Sequence, residues 1–216
     1  MSMPDLFEND TPRGREALGP DAAILRGHAL PCLPDLLPAL RQVLQAAPFR
    51  TVFTPGGHAM SVKLSGCGAL GWISDAQGYR YSPVRPDTGT PWPTMPDCFK
   101  ALAARAAREV GFPAFEPDAC LINRYVPGSR MGLHQDRDER DFSAPIVSVS
   151  LGLPAVFLFG GQARSAPALR YPLFHGDVVV WGGADRLRFH GVLPVKHGRH
   201  SVMGPQRINL TFRKAR

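Results

Sequence analysis

The chain has 216 residues, enough for one domain with a substantial core, and its 44% hydrophobic and 20% charged content excludes a disordered or fibrous class. The net charge of +7 rests almost wholly on arginine, since Lys63, Lys100, Lys196 and Lys214 are the only lysines; a nucleic-acid surface and a merely solvated basic surface have the same count. Four dispersed cysteines, Cys32, Cys67, Cys98 and Cys120, form no CxxC pair, which excludes a zinc knuckle and a dense disulfide framework.

In chain order, residues 1–20 are acidic, contain proline and lack an apolar run, so they are expected to form a loose tail and not a secretory signal, ahead of a single domain over 21–216. Leu33 to Ala47 carries leucines and a valine at helical spacing and stops before Pro48. Thr54 to Pro93, rich in Gly, Pro and aromatics, has strand-like pieces at Ala59 to Leu64 and Gly78 to Ser82 and reads as a separate flap. Met95 to Val110 reads as a second helix, with Pro96 early and Gly111 as its stop.

From about Cys120 the chain turns to short β-branched runs between Gly and Pro turns: Ile146 to Leu151, Ala155 to Phe159, Val178 to Trp181, Leu187 to His190, and Ile208 to Phe212. Such runs without intervening helices predict a mainly β sandwich or jelly roll with two flanking helices. The most apolar stretch, Ile146 to Gly161, is short for a membrane span and is broken by Ser148, Ser150 and Pro154. A soluble, cytoplasmic monomer without a membrane partner is expected, because no long apolar stripe is visible.

The chemistry-bearing pattern is His134-Gln135-Asp136, then His190, then Arg207 to Arg213. Side chains two apart on a strand face the same way, so His134 and Asp136 can form a two-ligand claw, with His190 arriving from the end of a later strand. Two neutral imidazoles and one carboxylate leave cis positions on iron(II) for a chelating 2-oxo acid and dioxygen. Zinc hydrolysis is the competing metal chemistry, but no HExxH is present. On the last run Arg207, Asn209, Thr211 and Arg213 share one face and Ile208, Leu210 and Phe212 the other. A buried arginine there calls for an anion, and a dicarboxylate such as 2-oxoglutarate supplies one. The alternative is an edge strand with a solvated polar face.

From about residue 18 to 213 the chain resembles the AlkB family of iron(II)/2-oxoglutarate nucleic-acid dealkylases. The segments that carry the resemblance are 54–57, Leu70-Gly71-Trp72, Gln77-Gly78-Tyr79 with Tyr81-Ser82-Pro83, Pro91-Trp92-Pro93, 117–125, 134–136, 144–154, 176–183 and 209–213. The resemblance implies a double-stranded β-helix with metal ligands His134, Asp136 and His190, and Fe(II), 2-oxoglutarate and O2 as cofactor and co-substrates. It implies co-substrate contacts at Asn123, Tyr125, Arg207, Asn209 and Arg213, with Arg207 favoured for the distal carboxylate. It further implies a nucleotide-recognition flap within 54–93, with Trp72, Tyr79, Arg80 and Tyr81 toward the nucleotide and Asp138 and Arg164 near it. Residues 73–76 and 197–206 depart from the family pattern.

The activity so implied is oxidative demethylation of 1-methyladenine and 3-methylcytosine in single-stranded DNA, with RNA as a further substrate, releasing formaldehyde, succinate and CO2. Those methyl groups sit on the pairing edge, so the base must leave the stack, and an aromatic flap serves that purpose. Arg130, Arg137 and Arg140 join Arg80 and Arg164 as candidate phosphate partners. Two rivals share the sequence features: an oxygenase acting on a small molecule or protein, and a metal-binding jelly roll without turnover.

Overall fold

The computed structural model describes residues 14–216. Two antiparallel sheets face each other, and two helices cover the outer face of the larger one. The strands are β1 (Gly14–Gly19), β2 (Ala22–Arg26), β3 (Arg50–Phe53), β4 (Ala59–Gly68), β5 (Gly71–Asp75), β6 (Gly78–Ser82), β7 (Ala119–Tyr125), β8 (Met131–His134), β9 (Ile146–Gly152), β10 (Ala155–Phe159), β11 (Leu169–Leu173), β12 (Val178–Trp181), β13 (His190–Val192) and β14 (Arg207–Arg213). The helices are α1 (Leu33–Ala46) and α2 (Asp97–Glu109). The large sheet runs β1-β2-β12-β9-β14-β7-β4-β3, the small one β11-β10-β13-β8, and β5-β6 stand apart as a hairpin. This is the jelly-roll class expected from the strand runs.

Both helices form where the spacing places them. In α1, Leu36, Leu40 and Val43 recur on one face and are buried, and Ala47, ahead of Pro48, leaves helical geometry at ψ 84°. In α2, Phe99, Leu102, Ala103, Ala106 and Ala107 make the buried face, and the alanines let the helix lie close to the sheet. Gly111, at φ +106°, ends the helical segment in the left-handed region that favours glycine.

The central strands alternate between two cores. Ile122 on β7, Val147, Val149 and Leu151 on β9, and Ile208, Leu210 and Phe212 on β14 pack beneath the helices. Phe99 meets Phe212 edge-on at 5.9 Å between ring centres, and burying each such ring contributes about 1.5–3 kcal/mol. Residues of the opposite parity point into the space between the sheets, where Phe157, Phe159, Leu173 and Trp181 form a second core. Because β9 and β14 are covered on both faces, every residue in them is buried.

Three expectations change. Gly14–Gly19 is not tail but the edge strand β1, paired with β2 and fastened by Arg26 Nε donating to Glu16 at 3.1 Å; the rest of the expected tail, 1–13, lies outside the described residues. Ala59–Gly68 belongs to the large sheet, leaving β5 and β6 as the separate two-stranded piece. His190 opens a strand and does not end one: Leu187 to Phe189 leave the ladder, with Phe189 bonded to Gly161 and Arg188 clamped to Asp185 at 3.0 Å. Among the described residues, no helix is long and apolar enough to cross a membrane.

Candidate metal centre and adjoining cavities

His134 ends β8 and His190 begins β13, and the two are directly paired across those strands. The pairing requires a close approach: a Cβ on Gly191 would lie 2.7 Å from the Met131 carbonyl oxygen and 3.1 Å from that of Gly132. Asp136 lies just past β8 and points back, with Oδ1 3.6 Å from His134 Nε2 and Oδ2 3.6 Å from His190 Nε2. Among the described residues these three form the single cluster whose ligand atoms all lie within 4.8 Å of one another.

The cluster fits a divalent metal on its own chemistry. His134 Nδ1 lies 2.9 Å from the Gly132 carbonyl and His190 Nδ1 3.0 Å from the Arg188 carbonyl. A carbonyl only accepts, so both Nδ1 atoms carry the proton and both Nε2 lone pairs face inward. Two donor atoms 3.6 Å apart are spanned by an ion with bonds of about 2.0–2.2 Å. Burial and the neighbouring His190 hold the His134 imidazole below its ordinary range, so it is neutral as a ligand must be. Burial alone would raise the Asp136 carboxyl, but the Arg213 guanidinium, 2.6 Å away, outweighs it and holds it well below the carboxylate range.

Two cavities meet at this cluster. The inner one, about 60 Å³, is lined by Tyr125, Ser148, Phe157, Trp181, Arg207 and Asn209. Arg207 is 2% exposed; its Nη2 donates to Ser150 Oγ at 2.9 Å, and its Nε and Nη1 have no protein partner. Its guanidinium lies over the Tyr125 ring at 4.9 Å, and no carboxylate pairs with it among the described residues. Desolvation lowers its pKa, because no neighbouring carboxylate offsets the burial. Beside it Asn123 keeps an unpartnered Oδ1, while Asn209 is tied to Ser148 at 2.8 Å and to Thr211 at 2.9 Å. Free guanidinium donors next to a metal cluster suit a dicarboxylate chelating the ion with its other end.

The outer cavity, about 410 Å³, is lined by Trp72, Tyr79, His134, Asp138, Arg164 and Phe189, with Met60, Leu64, Leu121 and Met131 as its apolar floor. Trp72 and Tyr79 stack at 5.2 Å and 17°, and the Trp72 indole donates to Asp138 at 2.7 Å. Arg164 lies over Phe189 at 5.8 Å, and Arg137 also reaches the cavity wall.

The expected residues are therefore sorted into different places. His134, Asp136 and His190 converge; Asn123, Tyr125, Arg207 and Asn209 line the inner cavity; Trp72, Tyr79, Asp138 and Arg164 line the outer one. Arg80 turns away and pairs with Asp75 at 2.6 Å on an exposed edge. Tyr81 lines neither cavity: its hydroxyl donates to Glu139 at 2.6 Å and accepts from Arg213 at 3.2 Å. Arg213 does reach both cavities, but its Nη2 is committed to Asp136 at 2.6 Å. Glu139 and Arg186, 3.0 Å apart and fully buried, were not visible as site residues, since nothing local marks a charge that will be buried. Ser148 and Ser150 carried a readable signal, two hydroxyls on one face of an otherwise apolar run.

A jelly roll that brings two imidazoles and a carboxylate together beside a buried, anion-seeking arginine defines an iron(II) oxygenase that takes an oxo acid. Residues 34–213 match the model of the 2OG-Fe(II) oxygenase superfamily. The chain is 53% identical over 213 residues to the alpha-ketoglutarate-dependent dioxygenase AlkB of Escherichia coli (strain K12), covering 99% of this chain and 98% of that protein. It is 33% identical over 171 residues to the DNA N(6)-methyladenine demethylase ALKBH1C of Arabidopsis thaliana, covering 67% of this chain and 38% of that protein. The solved structure of OsALKBH1 superposes with a TM-score of 0.79 at 28% identity, covering 93% of this chain and all of that one. The chain belongs to the AlkB family of the 2OG-Fe(II) oxygenases, and it is a dioxygenase that uses Fe(II), 2-oxoglutarate and O2.

Proposed function

We propose that the enzyme removes N-linked methyl groups from alkylated nucleobases, with 1-methyladenine and 3-methylcytosine in single-stranded DNA as first substrates and RNA as a second, in direct repair of alkylation damage. The observation that carries this reading is the stacked Trp72–Tyr79 pair on the wall of a 410 Å³ cavity that opens onto the metal cluster. A flipped base stacks on an aromatic face with about 1–3 kcal/mol. The demethylase name of the Arabidopsis relative is consistent with it.

In this reading His134, Asp136 and His190 hold the iron, and Arg207 forks onto the distal carboxylate of 2-oxoglutarate while Asn123, Tyr125, Asn209 and Arg213 line its berth. The bound iron, 2-oxoglutarate and dioxygen supply the oxidation that hydroxylates the methyl carbon, with succinate and CO2 formed from the oxo acid; the hydroxymethyl base then loses formaldehyde. The chain's own work is orientation. Trp72 and Tyr79, on the separate β5–β6 hairpin, hold one face of the base and His134 borders the other. Asp138 releases the Trp72 indole to accept from the base's exocyclic amine and to favour its positive charge, while Arg164 and Arg137 meet phosphates at the rim. The enzyme works as a cytoplasmic monomer.

The test is a mass-resolved assay of single-stranded oligonucleotides carrying 1-methyladenine or 3-methylcytosine, with iron and 2-oxoglutarate withheld in turn. Loss of one methyl group together with succinate and formaldehyde, only when both are present, is the expected result. Succinate release without demethylation of either oligonucleotide overturns the assignment.

A further inference from the structure

Trp72, Tyr79 and Tyr81 occupy one face of the β5–β6 hairpin, since Trp72 pairs directly with Tyr81 and stacks on Tyr79 two residues earlier. Two of these aromatics line the outer cavity, and the third is plugged into the charges behind Asp136. Tyr81 packs on Leu70, Ala119 and Ala215. From its hydroxyl, two routes lead to Asp136. One runs through Arg213, which donates Nη1 to Tyr81 at 3.2 Å and Nη2 to the Asp136 carboxylate at 2.6 Å. The other runs through Glu139, which accepts from Tyr81 at 2.6 Å and from Arg186 at 3.0 Å; Arg186 in turn donates to the Asp136 main-chain carbonyl at 2.6 Å.

The two carboxylates and two guanidiniums balance, and the side chains of Glu139 and Arg186 are 1% and 3% exposed. In such a dry setting a new charge is strongly felt. A divalent ion at the cluster would draw on the Asp136 carboxylate and repel the Arg213 guanidinium, whose other acceptors are Glu139, 3.5 Å from Nε, and the Tyr81 hydroxyl, 3.2 Å from Nη1. A guanidinium leaning further onto those two would tighten the anchor of the hairpin that carries Trp72 and Tyr79.

We propose that Tyr81 and Glu139 are positioning residues that couple the hairpin to the iron site, so that metal binding orders the aromatic wall of the outer cavity and nucleobase binding strengthens metal binding by the same factor. The second half rests on the nucleobase reading of that cavity. The reciprocity is a thermodynamic requirement, and coupling of about tenfold is ordinary for two linked sites.

The experiment compares the wild type, Tyr81→Phe and Glu139→Gln with Mn(II), which occupies such sites without turnover. Hydrogen exchange of backbone amides over residues 71–82 is read with and without Mn(II), and the Kd of a 1-methyladenine oligonucleotide is measured in both states. In the wild type Mn(II) slows exchange in the hairpin and tightens the oligonucleotide about tenfold. In Tyr81→Phe, which keeps the ring and loses the hydroxyl, Mn(II) binds within about threefold of the wild type, but hairpin exchange no longer responds and the Kd ratio falls toward one. Simple loss of packing would lower stability without changing that ratio. Glu139→Gln, which keeps an acceptor but not the charge, shows a reduced response in both readouts, and it decides the question should Tyr81→Phe not fold. A wild-type response in both variants overturns the proposal. Absence of oligonucleotide binding in every protein defeats the nucleobase reading, while the exchange measurement still decides the coupling.

Discussion

Arg207 spends one nitrogen on Ser150, 2.9 Å away, and leaves two more, Nε and Nη1, buried beside the inner cavity without a partner. The consequence is separable in two variants. Arg207→Lys keeps the charge and loses the fork, which raises the KM for 2-oxoglutarate roughly 10- to 100-fold with little change in oligonucleotide affinity. Arg207→Met removes a buried unpaired cation, so the protein without 2-oxoglutarate unfolds at the same or a higher temperature, but added 2-oxoglutarate no longer raises it. Thermal scans with and without the oxo acid check this; a ligand-induced shift retained in Arg207→Met refutes the assigned role.

His134→Ala, Asp136→Ala and His190→Ala each abolish iron-dependent succinate release. Mn(II) affinity, read by calorimetry, falls by more than about 100-fold, the upper range for losing even a group that merely supports a ligand. Chelation of the wild type abolishes turnover, and Fe(II) restores it. Coupled demethylation surviving in any of the three variants contradicts the ligand set.

Gly191→Ala forces a methyl to within 2.7 Å of the Met131 carbonyl, and backbone on both strands leaves no cheap escape. The β13–β8 pairing that sets His190 beside His134 must open, at a cost of about 1–3 kcal/mol. Denaturant unfolding and Mn(II) titration should both register the change; wild-type values in both would show that the close approach is dispensable.

His175 gives a pH dependence remote from the metal. Its Nδ1 accepts the Gly152 N–H at 2.9 Å, and its ring lies 4.3 Å from that of His200. Burial and the neighbouring imidazole lower its pKa from 6.5 to about 4. The folded protein therefore binds this proton less readily than the unfolded chain. The His175 contribution to stability is complete above pH 6.5 and is lost as pH falls toward about 4, where the ring must charge and give up its acceptor role. His175→Asn offers an acceptor that does not titrate, so its urea midpoint declines less than that of the wild type between pH 7.5 and pH 5, both values chosen to bracket roughly the imidazole range. Parallel declines would assign the pH dependence elsewhere.

Trp72→Ala removes the larger half of the stacked pair and weakens methylated oligonucleotide binding by about 1–3 kcal/mol, or roughly 5- to 150-fold, while the KM for 2-oxoglutarate stays within about twofold. Fluorescence anisotropy and initial rates separate the two effects. Equal loss on both would place Trp72 in the scaffold and not at the base.

Much of this site was legible because its residues follow simple parity. Arg207, Asn209 and Arg213 alternate with Ile208, Leu210 and Phe212, and a sheet covered on both sides keeps that alternation through folding. The helices were equally plain, since their apolar spacing is local. What stayed hidden depends on distant partners. The half-exposed sequence of β1 resembles a tail until Arg26 and β2 are beside it. His190 was expected to close a strand because Leu187 and Phe189 look strand-like, yet Arg188 and Phe189 bond instead to Asp185 and Gly161. Tyr81 and Arg80 are neighbours in a hairpin with opposite fates, one facing Glu139 and the other Asp75, and only the hairpin's placement over β7 and the 136–139 segment decides which goes inward.

β14 carries core packing on its even-numbered residues and chemistry on its odd-numbered ones, with no spare position between them. A one-residue insertion ahead of Arg207 would therefore exchange the two inventories, thrusting guanidiniums beneath the helices and greasy side chains toward the iron. Length along this segment is as strictly constrained as identity, so surviving variants of the gene should tolerate swaps here far more readily than indels.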